Sequence, residues 1–230
     1  MDNEDRLTKI NLEIINEYLP HVNAKILDFG TGTGRLAIPL AEAGHSITAI
    51  DACSGMLSVL ESKTVVNPVD INCHLDINCQ RILNDHDLAI AFFTVMAYLT
   101  TVEDLTKTME AIYSKLKPNA YFIFDLEHQN QYNRFVNGVV PHPQHHDLTQ
   151  KVRISFENTN PNLGYYQEKC SGTNNGIKFE YEENFNIMFW NLDEVIGIAH
   201  KVGFYHVTTL SPIRTADYIV LQKKPYNFLN

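Results

Sequence analysis

Three glycines at alternate positions, Gly30, Gly32 and Gly34, follow an apolar run that ends in an acid, Asp28 in KILDF. A second apolar run, SITAI, ends in another acid, Asp51. Glycine in such a turn permits positive φ and leaves no Cβ in the way of a ligand. A carboxylate at the tip of the second strand can accept two hydrogen bonds from ribose hydroxyls, as it does for nicotinamide dinucleotides. The spacing differs from the dinucleotide fingerprint G-x-G-x-x-G, whose third glycine would fall on Arg35. The pattern is G-x-G-x-G, which disfavours a nicotinamide-dependent oxidoreductase and leaves another adenosyl cofactor.

The elements that would hold these groups form a βαβ unit. Ile26–Phe29 reads as a strand buried on both faces, and Ser46–Ile50 as its neighbour. Between them the pattern predicts a helix over Arg35–Ala43, with its positive dipole end at the site, a kink at Pro39 and a stop at Gly44. Before the unit, Leu7, Ile10, Ile14 and Tyr18 share one face of a helix from about Glu4 to Leu19.

The rest of the chain continues the alternation. His86–Phe93 is a fourth, almost wholly apolar strand. Thr101 and Asp104 form a capping-box variant at the head of a helix that buries Leu105, Met109, Ile112 and Leu116. Tyr121–Leu126 is a fifth strand. The helix Leu192–Val202, closed by Gly203, leads to two last strands, Phe204–Leu210 and Tyr218–Lys223.

Length and charge narrow the partners. At 230 residues the chain suits one domain with an inserted subdomain. A formal charge of −9 without a basic run argues against nucleic acid. Four cysteines without C-x-x-C spacing read as free thiols in a reducing compartment. The polar N-terminus, and the want of an apolar run of transmembrane length, lead to the expectation of a cytoplasmic protein that binds no membrane.

The stretch Asp28–Phe29–Gly30–Thr31–Gly32–Thr33–Gly34 resembles the first motif of class I S-adenosylmethionine (SAM)-dependent methyltransferases. Asp51 with Gly55–Met56–Leu57 resembles the family's second-strand acid and the segment beside the adenine, and Asp76 resembles its third-strand acid. The resemblance implies a doubly wound, Rossmann-like α/β fold. Its seven-stranded sheet would be mostly parallel, with the last strand antiparallel. It implies SAM contacts from Asp28, Gly30, Gly32, Gly34, Arg35, Asp51, Ala52, Met56, Asp76, Ile77 and Phe92, and S-adenosylhomocysteine as the product. Asp76 would lie near the adenine amino group with Ile77 against the ring; a solvated loop acid is the plainer alternative. Phe93–Thr94–Val95–Met96 stands where nucleic-acid amino-methylating relatives carry N/D-P-P-aromatic, which again points to a small-molecule acceptor. Lys117–Pro118–Asn119–Ala120 resembles the family's Lys-Pro-Gly-Gly turn, with Asn119 able to take the left-handed conformation.

Beyond the fifth strand, 129–190 is set apart from a core of 1–128 and 191–230. His142, His145 and His146 fall in its polar first part; spacing alone does not make them a metal site, and no metal is expected. Residues 151–190 alternate as antiparallel strands, with a hairpin signal at Asn175–Gly176. Ile177, Phe179, Tyr181, Phe185, Ile187 and Phe189 share one face, expected to be buried, while Lys178, Glu180 and Glu182 face water. This resembles the substrate-covering insertion of small-molecule methyltransferases. The aromatic face either roofs the site or packs on the core or on a second subunit, so a homodimer is one expectation.

His128, directly after the fifth strand, can orient a nucleophile, take its proton, or only sit at the mouth. Tyr98 is the other catalytic candidate, on the ligand edge of the sheet. The reading is methyl transfer to nitrogen or oxygen of a small molecule. The alternative is a non-catalytic SAM-binding regulatory or partner protein.

Overall fold

Strands β1 (Lys25–Phe29), β2 (Ser46–Ile50), β3 (Ile71–His74), β4 (His86–Ala91) and β5 (Leu116–Glu127) run parallel to one another. Two later strands, β10 (Phe204–Ile213) and β11 (Ala216–Lys223), complete a sheet in the order β10-β11-β5-β4-β1-β2-β3. Only β11 is antiparallel to its neighbours on both sides. The molecule is known here as a computed structural model that describes residues 3–66, 68–130, 138–140, 148–174, 176–213 and 215–225. The expected sheet is therefore the observed one.

Strand order reverses between β1 and β4: the chain winds outward from β1 through β2 to β3, then returns to β4 and β5. Such a switch point opens a crevice at the C-terminal ends of the two strands. The turns after β1 and after β4 lie on either side of it.

Alternation along the strands builds one core on each sheet face. Leu27, Ala89, Phe122 and Phe124 pack with Met109 of α4 (Val102–Lys115) and Ala199 of α5 (Leu192–Val202). Ile26, Leu88 and Ile123 pack with Ile15 of α1 (Asn3–Tyr18) and Leu40 of α2 (Ala37–Glu42). All six residues of β4 are buried, as a central parallel strand requires. The caps read from sequence are present. Asp104 N–H donates to Thr101 Oγ1 at 3.0 Å, and Asn119 and Gly203 hold φ of +66° and +118°.

Three local expectations are corrected. First, α2 begins at Ala37, not Arg35, because residues 31–35 are spent on the glycine turn. Pro39 then falls in the first turn, where its missing N–H has no intrahelical partner to lose, so no kink is needed. Second, β4 ends at Ala91. Phe93 and Thr94 take φ of +65° and +67°, and the chain turns into a short 3₁₀ segment, Val95–Tyr98.

The third concerns the insertion. Its strands β6 (Gly138–Val140), β7 (Thr149–Phe156), β8 (Leu163–Asn174) and β9 (Ile177–Met188) form a separate antiparallel sheet in chain order. Among the described residues, the apolar face of β9 is covered at its inner end. There Ile187 and Phe189 are buried with Ile154 of β7 and Ala97 of the 3₁₀ segment. At the outer end Ile177 is 72% and Tyr181 45% exposed. Strands of 12 residues span about 40 Å. The outer end of β9 is largely exposed. His142, His145 and His146 lie outside the described residues.

Candidate active site

The glycine turn is built by β2. Ile50 carbonyl accepts from Gly30 N–H (2.8 Å) and Thr31 N–H (2.9 Å), so the turn hangs from the neighbouring strand. Asp51 clamps it further: Oδ2 accepts from Gly32 N–H and Oδ1 from Cys53 N–H, each at 2.8 Å. From outside, Lys63 of α3 (Ser54–Val66) donates to Thr33 carbonyl at 2.8 Å.

The three glycines serve different needs. A Cβ on Gly30 would lie 2.4 Å from Val95 Cγ2, and one on Gly34 would lie 2.3 Å from Leu60 Cδ1. A Cβ on Gly32 would meet nothing within 4 Å. Of the three, Gly32 alone faces open space among the described residues, where its backbone lies open to a ligand. Gly30 and Gly34 are required by close packing as well as by φ of +79° and +87°.

Asp28 lies under the turn, 3% exposed, and accepts from Thr31 Oγ1 at 2.7 Å. Burial, and to a lesser degree the charge of Asp51, raises its carboxyl to about 7. A cationic ligand in the open space would favour its ionised form. Met56 and Ile77 are about half exposed, at 45% and 51%, and Ala52 is exposed, so all three are open to a ligand. Asp76 caps its own turn by accepting from Arg81 N–H at 2.8 Å, and backbone donors hold its carboxyl below the usual range.

The other side of the crevice was less legible. Phe92 is buried against Tyr218, ring centroids 5.6 Å apart. The side chain that reaches the crevice is Phe93, and the guanidinium carbon of Arg35 lies 3.2 Å from its ring centroid. Phe93 also lines a cavity of about 700 Å³ with Arg6, Asp125, Glu127, His128 and Asp217, among others. This cavity lies between α1 and the β10–β11 hairpin, and Tyr98 does not line it. Tyr98 instead packs on Phe185 of β9, centroids 5.1 Å apart. Partial burial, then the carboxylates Glu183, Glu127, Glu168 and Asp51, raise its phenol, so it stays protonated at neutral pH.

His128 is placed by β11: its N–H donates to Thr215 carbonyl at 2.8 Å, and Nε2 lies 3.0 Å from Asp217 Oδ2. Ser211 Oγ donates to the other oxygen of Asp217 at 2.5 Å. These bonds hold the carboxyl of Asp217 low despite its partial burial. Asp125 was missed. It is 5% exposed, and burial, then Glu127, raises its carboxyl to about 7. The available signal was an acid inside the otherwise apolar run Tyr121–Leu126. Among the described residues no cluster of His, Cys, Asp or Glu could hold a metal ion, and no helix is long and apolar enough to cross a membrane.

A glycine turn braced by a strand-end acid, opposite a crossover turn on a seven-stranded sheet, defines an α/β protein of the nucleotide-cofactor type. The chain belongs to the methyltransferase domain family, whose model matches residues 4–209. It is 26% identical over 125 residues to a ubiquinone biosynthesis O-methyltransferase of Hydrogenovibrio crunogenus, covering 54% of this chain and 52% of that protein. It is 25% identical over 195 residues to a glycine/sarcosine N-methyltransferase of Aphanothece halophytica, covering 82% and 69%. The fold is that of a SAM-dependent methyltransferase from Clostridium acetobutylicum, with a TM-score of 0.80 at 17% identity, covering 97% and 93%. The chain spans about half the length of the first curated relatives it matches.

Proposed function

We propose that the protein transfers the methyl group of SAM to a small-molecule acceptor, with the donor over Gly32 and the acceptor in the cavity beside Phe93. The observation that carries this reading is the open space at Gly32 inside a turn braced by Asp51. Each oxygen of Asp51 retains a lone pair for a ribose hydroxyl. Met56 and Ile77 offer apolar walls for an adenine, and the carboxylate of Asp51, with that of Asp28 once a cation favours its ionised form, suits a cationic donor. When bound, SAM supplies a methyl carbon already activated by a positive sulfur. The residues must then align the acceptor and exclude water, a task worth several kcal/mol of a barrier when geometry is right (about 7–11 in favourable cases).

The cavity favours nitrogen over an anionic oxygen. Asp125, Glu127 and Asp217 line it against Arg6 and the His128 that pairs with Asp217, so an amine that gives up its proton before transfer is favoured and a carboxylate disfavoured. The glycine/sarcosine relative is an N-methyltransferase by its name, and the ubiquinone relative an O-methyltransferase. Incubation with methyl-labelled SAM and separate panels of amines, phenols and carboxylic acids tests this. Label is expected on amines; label confined to carboxylic acids would contradict the electrostatic reading. Tight cofactor binding with no transfer to any panel would favour the non-catalytic alternative. The exposed Ile177 and Tyr181 give a homodimer its apolar surface, and sedimentation equilibrium reads the association state directly.

A further inference from the structure

We infer that Asp125 is a positioning residue for methyl transfer: its carboxylate fixes the Phe93–Thr94 turn and so sets the wall shared by the donor turn and the acceptor cavity. The inference rests on the proposed methyltransferase reading and deepens it.

A carboxylate buried in a strand is costly unless its oxygens are hydrogen-bonded. Both oxygens of Asp125 are used across the sheet: Oδ2 accepts from Phe93 N–H at 3.0 Å and Oδ1 from Thr94 N–H at 3.2 Å. These two residues are the consecutive non-glycine pair with left-handed φ. Such a conformation persists in side-chain-bearing residues only where the surroundings impose it. The clamp on both N–H groups is that imposition.

Three contacts depend on the turn. Phe93 presents its ring to the guanidinium of Arg35, the residue after Gly34. Val95, one residue beyond the pair, fills the space against Gly30. Phe93 and Asp125 together line the cavity. One carboxylate on β5 thus links the donor turn to the acceptor wall without touching the proposed donor. An amide in its place keeps the shape but offers one acceptor and sets an NH₂ against an N–H.

The charged and titratable neighbours of Asp125 are Glu127 on its own strand, Asp217 and Tyr218 on β11, His128 beyond β5, and Arg6 on α1. Tyr218 stands directly opposite Asp125 in the β5–β11 register. Protonation of Asp125 removes an acceptor from the clamp, so the turn should loosen as pH falls through about 7.

The single tryptophan reports on this turn. Trp190 Nε1 donates to the carbonyls of Met96 (3.2 Å) and Leu99 (3.0 Å), just past the Phe93–Thr94 pair. The experiment follows Trp190 fluorescence of the full chain between pH 5.5 and 8.5 and measures S-adenosylhomocysteine binding by calorimetry at pH 8. The native chain is expected to show a fluorescence transition near neutrality. Asp125→Asn should abolish it and raise the S-adenosylhomocysteine Kd at least fivefold. Adding Thr94→Gly, which takes positive φ without a clamp, should recover much of that affinity and the fold if Asp125→Asn alone unfolds. A flat fluorescence profile in the native chain, or a transition and Kd unchanged by Asp125→Asn, would overturn the positioning role while leaving the methyltransferase reading intact. Failure of the native chain itself to bind S-adenosylhomocysteine would remove the donor site, and the role of Asp125 with it.

Discussion

Arg35 lies over the face of Phe93, its guanidinium carbon 3.2 Å from the ring centroid, and this contact joins the turn after β1 to the turn after β4 across the switch point. A cation over an aromatic face contributes about 0.5–2 kcal/mol, depending on how far it is desolvated. Its greater consequence is geometric, since in the proposed reading donor and acceptor meet beside this pair.

Adjacent phenylalanines should therefore fail in different ways. Phe93→Ala is expected to weaken S-adenosylhomocysteine binding severalfold with little loss of stability. Phe92→Ala removes a ring buried against Tyr218 and should cost about 3–5 kcal/mol in a denaturant titration, with binding by the folded fraction unchanged. Equal effects of the two on binding would contradict the assignment of Phe93 to the crevice.

The glycines separate by the same logic. Gly34→Ala forces a methyl onto Leu60 at a left-handed φ and should destabilise the fold by about 2–4 kcal/mol through overpacking and strain together. Gly32→Ala meets no neighbour, so it should cost only about 1–2 kcal/mol of backbone strain while lowering donor affinity at least tenfold. Chemical denaturation and calorimetry on the two variants check both halves.

Asp28 and Asp125 have carboxyls raised to about 7 by burial, and that fixes a sign for the free protein. A folded-state pKa above the unfolded value gives stability that is full below about pH 4 and is lost as pH rises through 7. Through these two groups the melting temperature of the ligand-free chain should fall from pH 6 to pH 8. Buried His45 and His86, whose lowered pKa works the other way, make the drop smaller. Asp28→Asn or Asp125→Asn should reduce it further. Adding SAM, whose positive charge favours ionised Asp28, should narrow that gap; calorimetry in buffers of different ionisation enthalpy should show proton release on binding at pH 7.

Helix α1 is tied to the sheet by Tyr218, whose hydroxyl donates to Asn11 Oδ1 at 2.8 Å inside the core. Among the described residues Asn11 Nδ2 already has no partner, although it is buried. Tyr218→Phe should leave Oδ1 unsatisfied as well and cost about 1–3 kcal/mol, read from the shift of the denaturation midpoint.

The sheet was legible because its strands are apolar runs with acids at their tips, and the donor turn because three glycines in five positions admit few backbones. Pro39 misled for a physical reason. Its place within a helix depends on where the glycine turn releases the chain, and no local signal marks that point. Phe92 and Phe93 could not be told apart by type, since only the left-handed turn after β4 decides which ring faces the crevice. Asp125 stands out in the sequence as an acid inside an apolar run, but its role could not be read there, because its partners are backbone N–H groups 31 and 32 residues away. The open outer face of β9 was missed because alternation shows which side is apolar and not whether anything covers it.

The most direct measurement is calorimetric titration of the full chain with S-adenosylhomocysteine, beside the Asp51→Ala variant and with NAD as the comparator. Asp51 braces Gly32 and, in the proposed reading, holds a ribose, so its loss would strip both the turn and the ligand of an acceptor. One-site binding by the native chain, at least tenfold weaker in Asp51→Ala, and no heat with NAD is the expected result. Binding of NAD in place of S-adenosylhomocysteine, or a native Kd unaltered by Asp51→Ala, would contradict it.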